Sequence, residues 1–317
     1  MNTDSETTTC PACGEPVKPN WKICPACENP LGSPVCPQCR MPVKENWKRC
    51  PECESRLVCN ICGRRIPAGQ PGCPDCENAS QIGVTANEPI IEPVTGMQFV
   101  HVPGGRFMMG DIFDEGLENE KPVREVTLDS FYIGRYPVTQ SQWLKLIPEN
   151  PSQFKGADNP VEQVSWDHVN RFIRLLQEKN DSRFRFDLPT EAQWEYASRS
   201  GGREESYAGS DSADSVAWYE DNSRGKTHPV GQKEPNGPGI HDMCGNVWEW
   251  CADMYREDAY QHLSTHNPVC LSGADDRVIR GGSWNVDAWS CRCTRRMSFG
   301  PDYFGAGLGF RLVLALV

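Results

Sequence analysis

The sequence predicts an α+β domain of high loop content behind a tandem array of small four-cysteine blocks, and three observations carry that expectation. Twelve of the 17 cysteines fall within the first 76 residues, all of them in Cys-x-x-Cys pairs. Beyond them, only two stretches have a clear helical signal. The remainder alternates short strand-like runs with glycine, proline and polar turns, as expected where a few helices segregate from small sheets. A chain of 317 residues accommodates two or more such units.

The pairs are Cys10 with Cys13, Cys24 with Cys27, Cys36 with Cys39, Cys50 with Cys53, Cys59 with Cys62, and Cys73 with Cys76. Successive pairs form three blocks, each with ten residues between its two pairs. The first two are near copies, with 14 identities in 22 positions between Cys10–Leu31 and Cys36–Leu57, so the array is an internal repeat. The third has Gln70-Pro71-Gly72 where the others carry Trp21 and Trp47. Thiolates bind Zn²⁺ tetrahedrally, and two Cys-x-x-Cys turns brought together close a four-sulfur site with no position left for water. Blocks of about 20 residues bury too little apolar surface to fold alone, so metal binding supplies the folding energy. Three structural zinc sites are expected, in blocks spanning 1–31, 32–57 and 58–78. Trp21 and Trp47 either pack over the metal loops or act as docking anchors.

Residues 79–96 lack periodicity and read as a linker with an extended segment at Pro89–Pro93. From Met97 to Val317 the second domain begins with strand-like runs at Gln98–Pro103 and Arg106–Met109, separated by Gly104-Gly105, a hairpin signal. Further runs lie at Val126–Leu128 and Phe131–Gly134. Ser165 is placed to cap a helix reaching Asn180, with Val169, Phe172, Ile173 and Leu176 on one face. Thr190 and Gln193 have capping-box spacing for a second helix that ends near Arg199.

Charge narrows the partners. Residues 1–80 hold nine basic and nine acidic side chains, so the rest of the chain carries the whole net charge of −11. An acidic body gives phosphate backbones nothing to bind, which makes nucleic acid a poor candidate partner. No apolar run has the length of a membrane span, and Met1–Thr9 has no apolar signal core. A cytoplasmic location is therefore expected, where cysteines serve metals in preference to disulfides.

Several runs in the second domain are similar to the formylglycine-generating, or sulfatase-modifying factor, family. They are Gly134–Thr139, Pro160–Trp166, Leu188–Ala197, Gly245–Trp250, Arg280–Trp284 and Gly309–Val313, in the family's order. The resemblance implies a C-type-lectin-like fold in which most of the motif tryptophans are core. The cysteine blocks likewise resemble double zinc ribbons, which implies docking to proteins. In the family's oxidase, Cu(I) lies between two cysteines just after the Gly-Gly-Ser-aromatic turn. Soft thiolates suit that ion, and low coordination leaves room for a substrate thiol and O₂. Here the first of those positions is Val286, which has no ligand atom; Cys291 matches the second, and Cys293 follows two residues later. The histidine cluster of the related ergothioneine-forming enzymes has no counterpart among six scattered histidines.

The expectation is therefore a noncatalytic ligand- or protein-binding domain tethered to a zinc-ribbon adaptor. Its rival is a copper-dependent thiol oxidase using Cys291 and Cys293. The binding residues would be Asn285, Val286, Asp287, Ala288, Trp289, Ser290, Thr294, Phe299, Tyr303, Phe304, Gly305 and Ala306, since aromatics beside arginines have a hot-spot composition. The stretch also resembles the variable proteins of diversity-generating retroelements, which diversify this end of the fold. By the family resemblance, calcium would be held by Asp242 and Glu249 with the carbonyls of Gly245 and Val247, oxygen donors that suit this hard cation.

Metal analysis of the purified full chain should return about three zinc ions per molecule by the closed-site argument. Cys10→Ser should lower the content by one ion, and an unchanged content would refute that block's assignment.

Overall fold

The computed structural model describes residues 8–9, 16–17, 89–180 and 183–316. The chain divides into two units, Met1–Ala86 and Asn87–Val317. In the first, Thr8–Thr9 pairs antiparallel with Pro16–Val17, on either side in sequence of the Cys10-x-x-Cys13 pair. The expected zinc ligands all lie outside the described residues: Cys10, Cys13, Cys24 and Cys27 of the first block, Cys36, Cys39, Cys50 and Cys53 of the second, and Cys59, Cys62, Cys73 and Cys76 of the third.

The second unit begins inside the expected linker. Strand β1 (Ile90–Ile91) pairs antiparallel with β2 (Gln98–Val102), and the Glu92 carboxylate caps the turn between them through the Thr95 amide at 2.8 Å. The strand lies within the extended segment expected at Pro89–Pro93. Gly104-Gly105 is not a hairpin turn. β3 (Gly105–Met109) pairs with β4 (Arg124–Leu128), whereas β2 pairs with β5 (Phe131–Gly134) in another sheet. A Cβ at Gly104 would lie 2.7 Å from Leu128 O and from Ser130 N, so the glycine permits close approach to the β4–β5 turn.

Helix α1 (Trp166–Lys179) starts at Ser165, which accepts the His168 amide, and buries Val169, Phe172 and Leu176. Gln177 on this helix bonds both the Phe184 carbonyl and the Phe186 amide of β6 (Phe184–Asp187). α2 (Glu191–Ser198) starts at the Thr190–Gln193 capping box and ends at Arg199. The C-terminal half supplies β7 (Ala217–Trp218), β8 (Cys244–Gly245), β9 (Trp248–Met254), β10 (Arg277–Arg280), β11 (Arg296–Phe299), β12 (Leu308–Gly309) and β13 (Val313–Leu316). One sheet runs β1-β2-β5-β13-β6, so the last strand lies between two early ones; the other runs β11-β10-β9-β12. Of the motif tryptophans, Trp194, Trp248 and Trp250 are buried and Trp166 and Trp284 half-buried, so most are core, as the family resemblance implies.

α2 is buried almost throughout and carries charge inward. Both oxygens of Glu191 bind Arg296, at 2.7 and 2.8 Å, and Oε1 also accepts from Arg280 Nη1 at 2.7 Å. Glu195 accepts from Arg280 Nη2 at 2.7 Å and from Arg199 Nη1 at 3.1 Å. Burial raises the Glu191 carboxyl, but Arg296 and Arg280 outweigh it and hold the group below its ordinary value. Removing one partner of a buried pair strands the other's charge. Arg280→Met should therefore cost about 3–5 kcal/mol of unfolding free energy by that reasoning. Denaturant titration reads the loss; a midpoint within error of wild type would contradict it.

Candidate binding face

β10 ends in Gly281 and Gly282, both at positive φ. A Cβ on Gly282 would lie 2.5 Å from Cys291 Sγ and 2.9 Å from its Cα, so the following segment folds tightly over this turn. Trp284 bridges two parts of the face: its Nε1 donates to Ala306 O at 2.9 Å, and its ring meets Phe154 edge-on at 5.2 Å. Asn285 is exposed and accepts from the Ser283 hydroxyl at 2.7 Å. A Cβ at Gly307 would be 3.1 Å from the Asn285 amide oxygen, which places Asn285 beside the 303–307 loop.

Asp287, also exposed, caps a 3₁₀ turn, Ala288–Cys291, by accepting the Ser290 amide at 2.8 Å. Hydrogen bonds from Ser290 hold its carboxyl below the ordinary value. That turn lifts Trp289, which is 36% exposed, donates to Glu115 O at 3.1 Å and has Arg292 over its ring at 4.4 Å. Tyr303 and Phe304 are 44% and 59% exposed. Half-buried Phe299 stacks on Tyr303 at 4.0 Å. The Gly305 carbonyl accepts from Gln163 at 3.1 Å, tying the loop to the Pro160–Trp166 run. Val286 and Ala288 are half-buried against the core, and Ser290, Gly305 and Ala306 are also partly accessible.

Thr294 does not belong to the face. It is 2% exposed, and its hydroxyl binds Glu120 and Arg292 at 2.8 Å each. Arg292 is buried against Glu120 and Arg296 against Glu191, so only part of the expected arginine surface is available. Sequence reasoning missed Trp284, Phe154 and Gln163 as supports, although the first and last belong to motif runs.

Of the expected calcium ligands, Glu249 is already engaged by a guanidinium, whereas buried Asp242 keeps Oδ1 unpaired. Glu249 gives both carboxylate oxygens to Arg311, at 2.6 and 2.7 Å, and one also to Trp194 Nε1 at 2.7 Å. Arg311 further binds the Asp242 carbonyl at 3.0 Å. A guanidinium thus neutralises the carboxylate a cation would need, and burial pushes the Asp242 carboxyl up to about 6.

The thiols do not fit Cu(I) as the oxidase arrangement would require. Cys291 is fully buried, and burial pushes its thiol up to about 12. Cys293 is equally buried. Among the described residues, no cluster of three or more His, Cys, Asp or Glu could hold a metal, and no helix is long and apolar enough to cross a membrane.

These features define a C-type-lectin-like α+β domain that displays an aromatic loop face at the end of its second sheet. The chain belongs to the family of the sulfatase-modifying factor enzyme 1-like domain, whose profile matches residues 86–316, and a double zinc ribbon profile matches residues 10–54. It is 30% identical to the chaperone protein LppX of Paenibacillus barcinonensis over 60% of this chain and 82% of that one. It is 28% identical to the formylglycine-generating enzyme of Streptomyces coelicolor over 70% of this chain and 91% of that one. Among solved structures, Treponema denticola variable protein 1 superposes with a TM-score of 0.65 at 25% identity, covering 74% of this chain and all of the other.

Behind the face lies Glu162, fully buried, with Oε1 accepting the Phe154 amide at 2.8 Å and Oε2 unpaired. Burial pushes its carboxyl up from 4.5 to about 7. Between those values the folded chain holds a proton that the unfolded chain releases, so stability falls as pH rises. Glu162→Gln keeps the acceptor and cannot ionise. It should flatten the fall in thermal midpoint between about pH 4.5 and 7 by the same linkage. An unchanged slope would contradict the assignment. Asp253, raised to about 7 by burial and by Glu191, and Asp242, raised to about 6 by burial, keep part of the slope in place.

Proposed function

We propose that the second unit is a noncatalytic binding module whose C-terminal face takes a protein ligand, tethered to a zinc-ribbon adaptor that docks to a protein. The observation that carries this reading is a contrast between two neighbouring parts of one loop. At the copper position stands Val286, and the nearby Cys291 thiol is buried beneath the Gly282 turn and kept protonated. Trp289, Tyr303 and Phe304 instead face solvent on a backbone fixed by Trp284, Asp287 and Gly305. Large aromatics on a rigid support lose little conformational freedom when they bind, which is the usual character of interface anchors. The likeness to a variable protein supports display of a changeable surface on this fold, with the segment 285–306 as its diversified part.

Affinity capture with the full chain as bait should retain a discrete protein partner. Substituting alanine at Trp289, Tyr303 and Phe304 should weaken that interaction by at least about tenfold, since anchors of this kind cost more than about 1–2 kcal/mol when truncated. The thermal midpoint should stay unchanged. Equal retention by wild type and the triple variant would refute the face.

A further inference from the structure

The loop between β3 and β4 adjoins the aromatic face and exposes groups of two kinds. Phe113 and Leu117 are open to solvent, as are Asp114, Glu115 and Glu118. The loop backbone is nonetheless held at several points. Buried Asp111 accepts the Glu115 and Gly116 amides at 3.3 and 2.7 Å, and its own amide donates to Glu120 O at 3.0 Å. Buried Glu120 accepts the Leu117 amide at 3.2 Å and takes two bonds of 3.0 Å from Arg292. Trp289 reaches across from the face to the Glu115 carbonyl at 3.1 Å. The acids of this loop therefore divide: Asp111 and Glu120 fix the backbone from within, and the three others stay in water on a rigid support.

An open cleft of about 630 Å³ lies at the same loop, lined by Asp111, Asp114, Glu118 and Lys121, with Pro122 and Val123 as its apolar part. Lys121 is taken by Asp114 at 2.6 Å and lies 3.9 Å from Glu118, so one base faces three carboxylates. The basic groups beside Trp289 are occupied as well. Arg292 is paired with Glu120, and Arg295 lies over the Trp289 ring at 5.2 Å and donates to Arg296 O at 3.1 Å. Exposed apolar area thus adjoins a local excess of negative charge.

We propose that the binding face continues from Trp289 onto residues 113–118 and that its occupant is a basic protein segment, one that sets a lysine or arginine beside a bulky apolar side chain. The proposal rests on the face assigned above and names the chemistry of its partner. Trp289, Phe113 and Leu117 cover the apolar side chain, and the cation enters the cleft beside Glu118 and Asp114. A lysine or arginine suits such a cleft, because its aliphatic stem lies along apolar lining while its charged head stays among carboxylates and water. Complementary charge speeds encounter and rejects acidic partners, and the aromatic area supplies most of the affinity.

Selection from a phage-displayed random peptide library on the immobilised full chain tests this. Wild type should enrich peptides that combine lysine or arginine with a large apolar residue. A synthetic copy of the leading peptide should bind more weakly as salt rises, because the charges that attract it are exposed. Combining Asp114→Asn, Glu115→Gln and Glu118→Gln should lower its affinity at least about fivefold, the scale of a few exposed ion pairs, with the thermal midpoint unchanged. Enrichment of acidic or uncharged sequences, or of basic ones that the neutralised variant binds as tightly, would overturn the inference. If such peptides are still lost on substituting alanine at Trp289, Tyr303 and Phe304, the face itself stands. Absence of any enriched sequence, or full binding by the alanine variant, would overturn the face and its extension together.

Discussion

The second unit depends on two carboxylates that α2 carries into its interior. Glu191 and Glu195 are one helical turn apart and wholly buried, a position no carboxylate holds without compensation. Arg280 from β10 spans both, Arg296 from β11 takes Glu191 with two bonds, and Arg199 closes the far end. Arg280 and Arg296 come from the sheet that also leads into and out of the binding loop. Replacing all of the charged groups by apolar ones would give similar cohesion, but only this pairing specifies which strand faces which carboxylate. The network therefore fixes register as well as contributing stability.

The face inherits its rigidity from that arrangement. Arg280 ends the strand that enters the Gly281-Gly282 turn, and Arg296 begins the strand that leaves the loop. Between them, Arg292 is pinned to Glu120 by two bonds of 3.0 Å and stacks on Trp289. Charge is thus used below the surface, and aromatic area above it. The same use of charge engages one expected calcium ligand, because Arg311 pairs with Glu249.

Local signals are legible in the sequence and distant pairings are not. Ser165 and Thr190 announce their helices through bonds to residues three positions away, which lie in any short window. The exposed anchors Trp289, Tyr303 and Phe304 are legible because large aromatics in a polar, glycine-containing loop have few places to go. By contrast, Arg280 and Arg296 reach carboxylates 85 to 105 residues away, and nothing near them in sequence marks them as interior. Thr294 is misplaced by the sequence for the same reason: its partner Glu120 is 174 residues distant. β9 leaves no signal because it is buried over most of its length and shows no alternation. Gly104 mimics a turn signal while serving close packing.

The proposed binding face includes the position where the family resemblance would put a copper cysteine; Val286 there offers no sulfur, and Cys291 is buried. The most direct measurement is oxygen consumption by the purified chain with a cysteine-containing peptide and Cu(I), beside Cys291→Ala. Identical background rates in the two proteins are predicted. Copper-dependent uptake that disappears in Cys291→Ala would contradict the account.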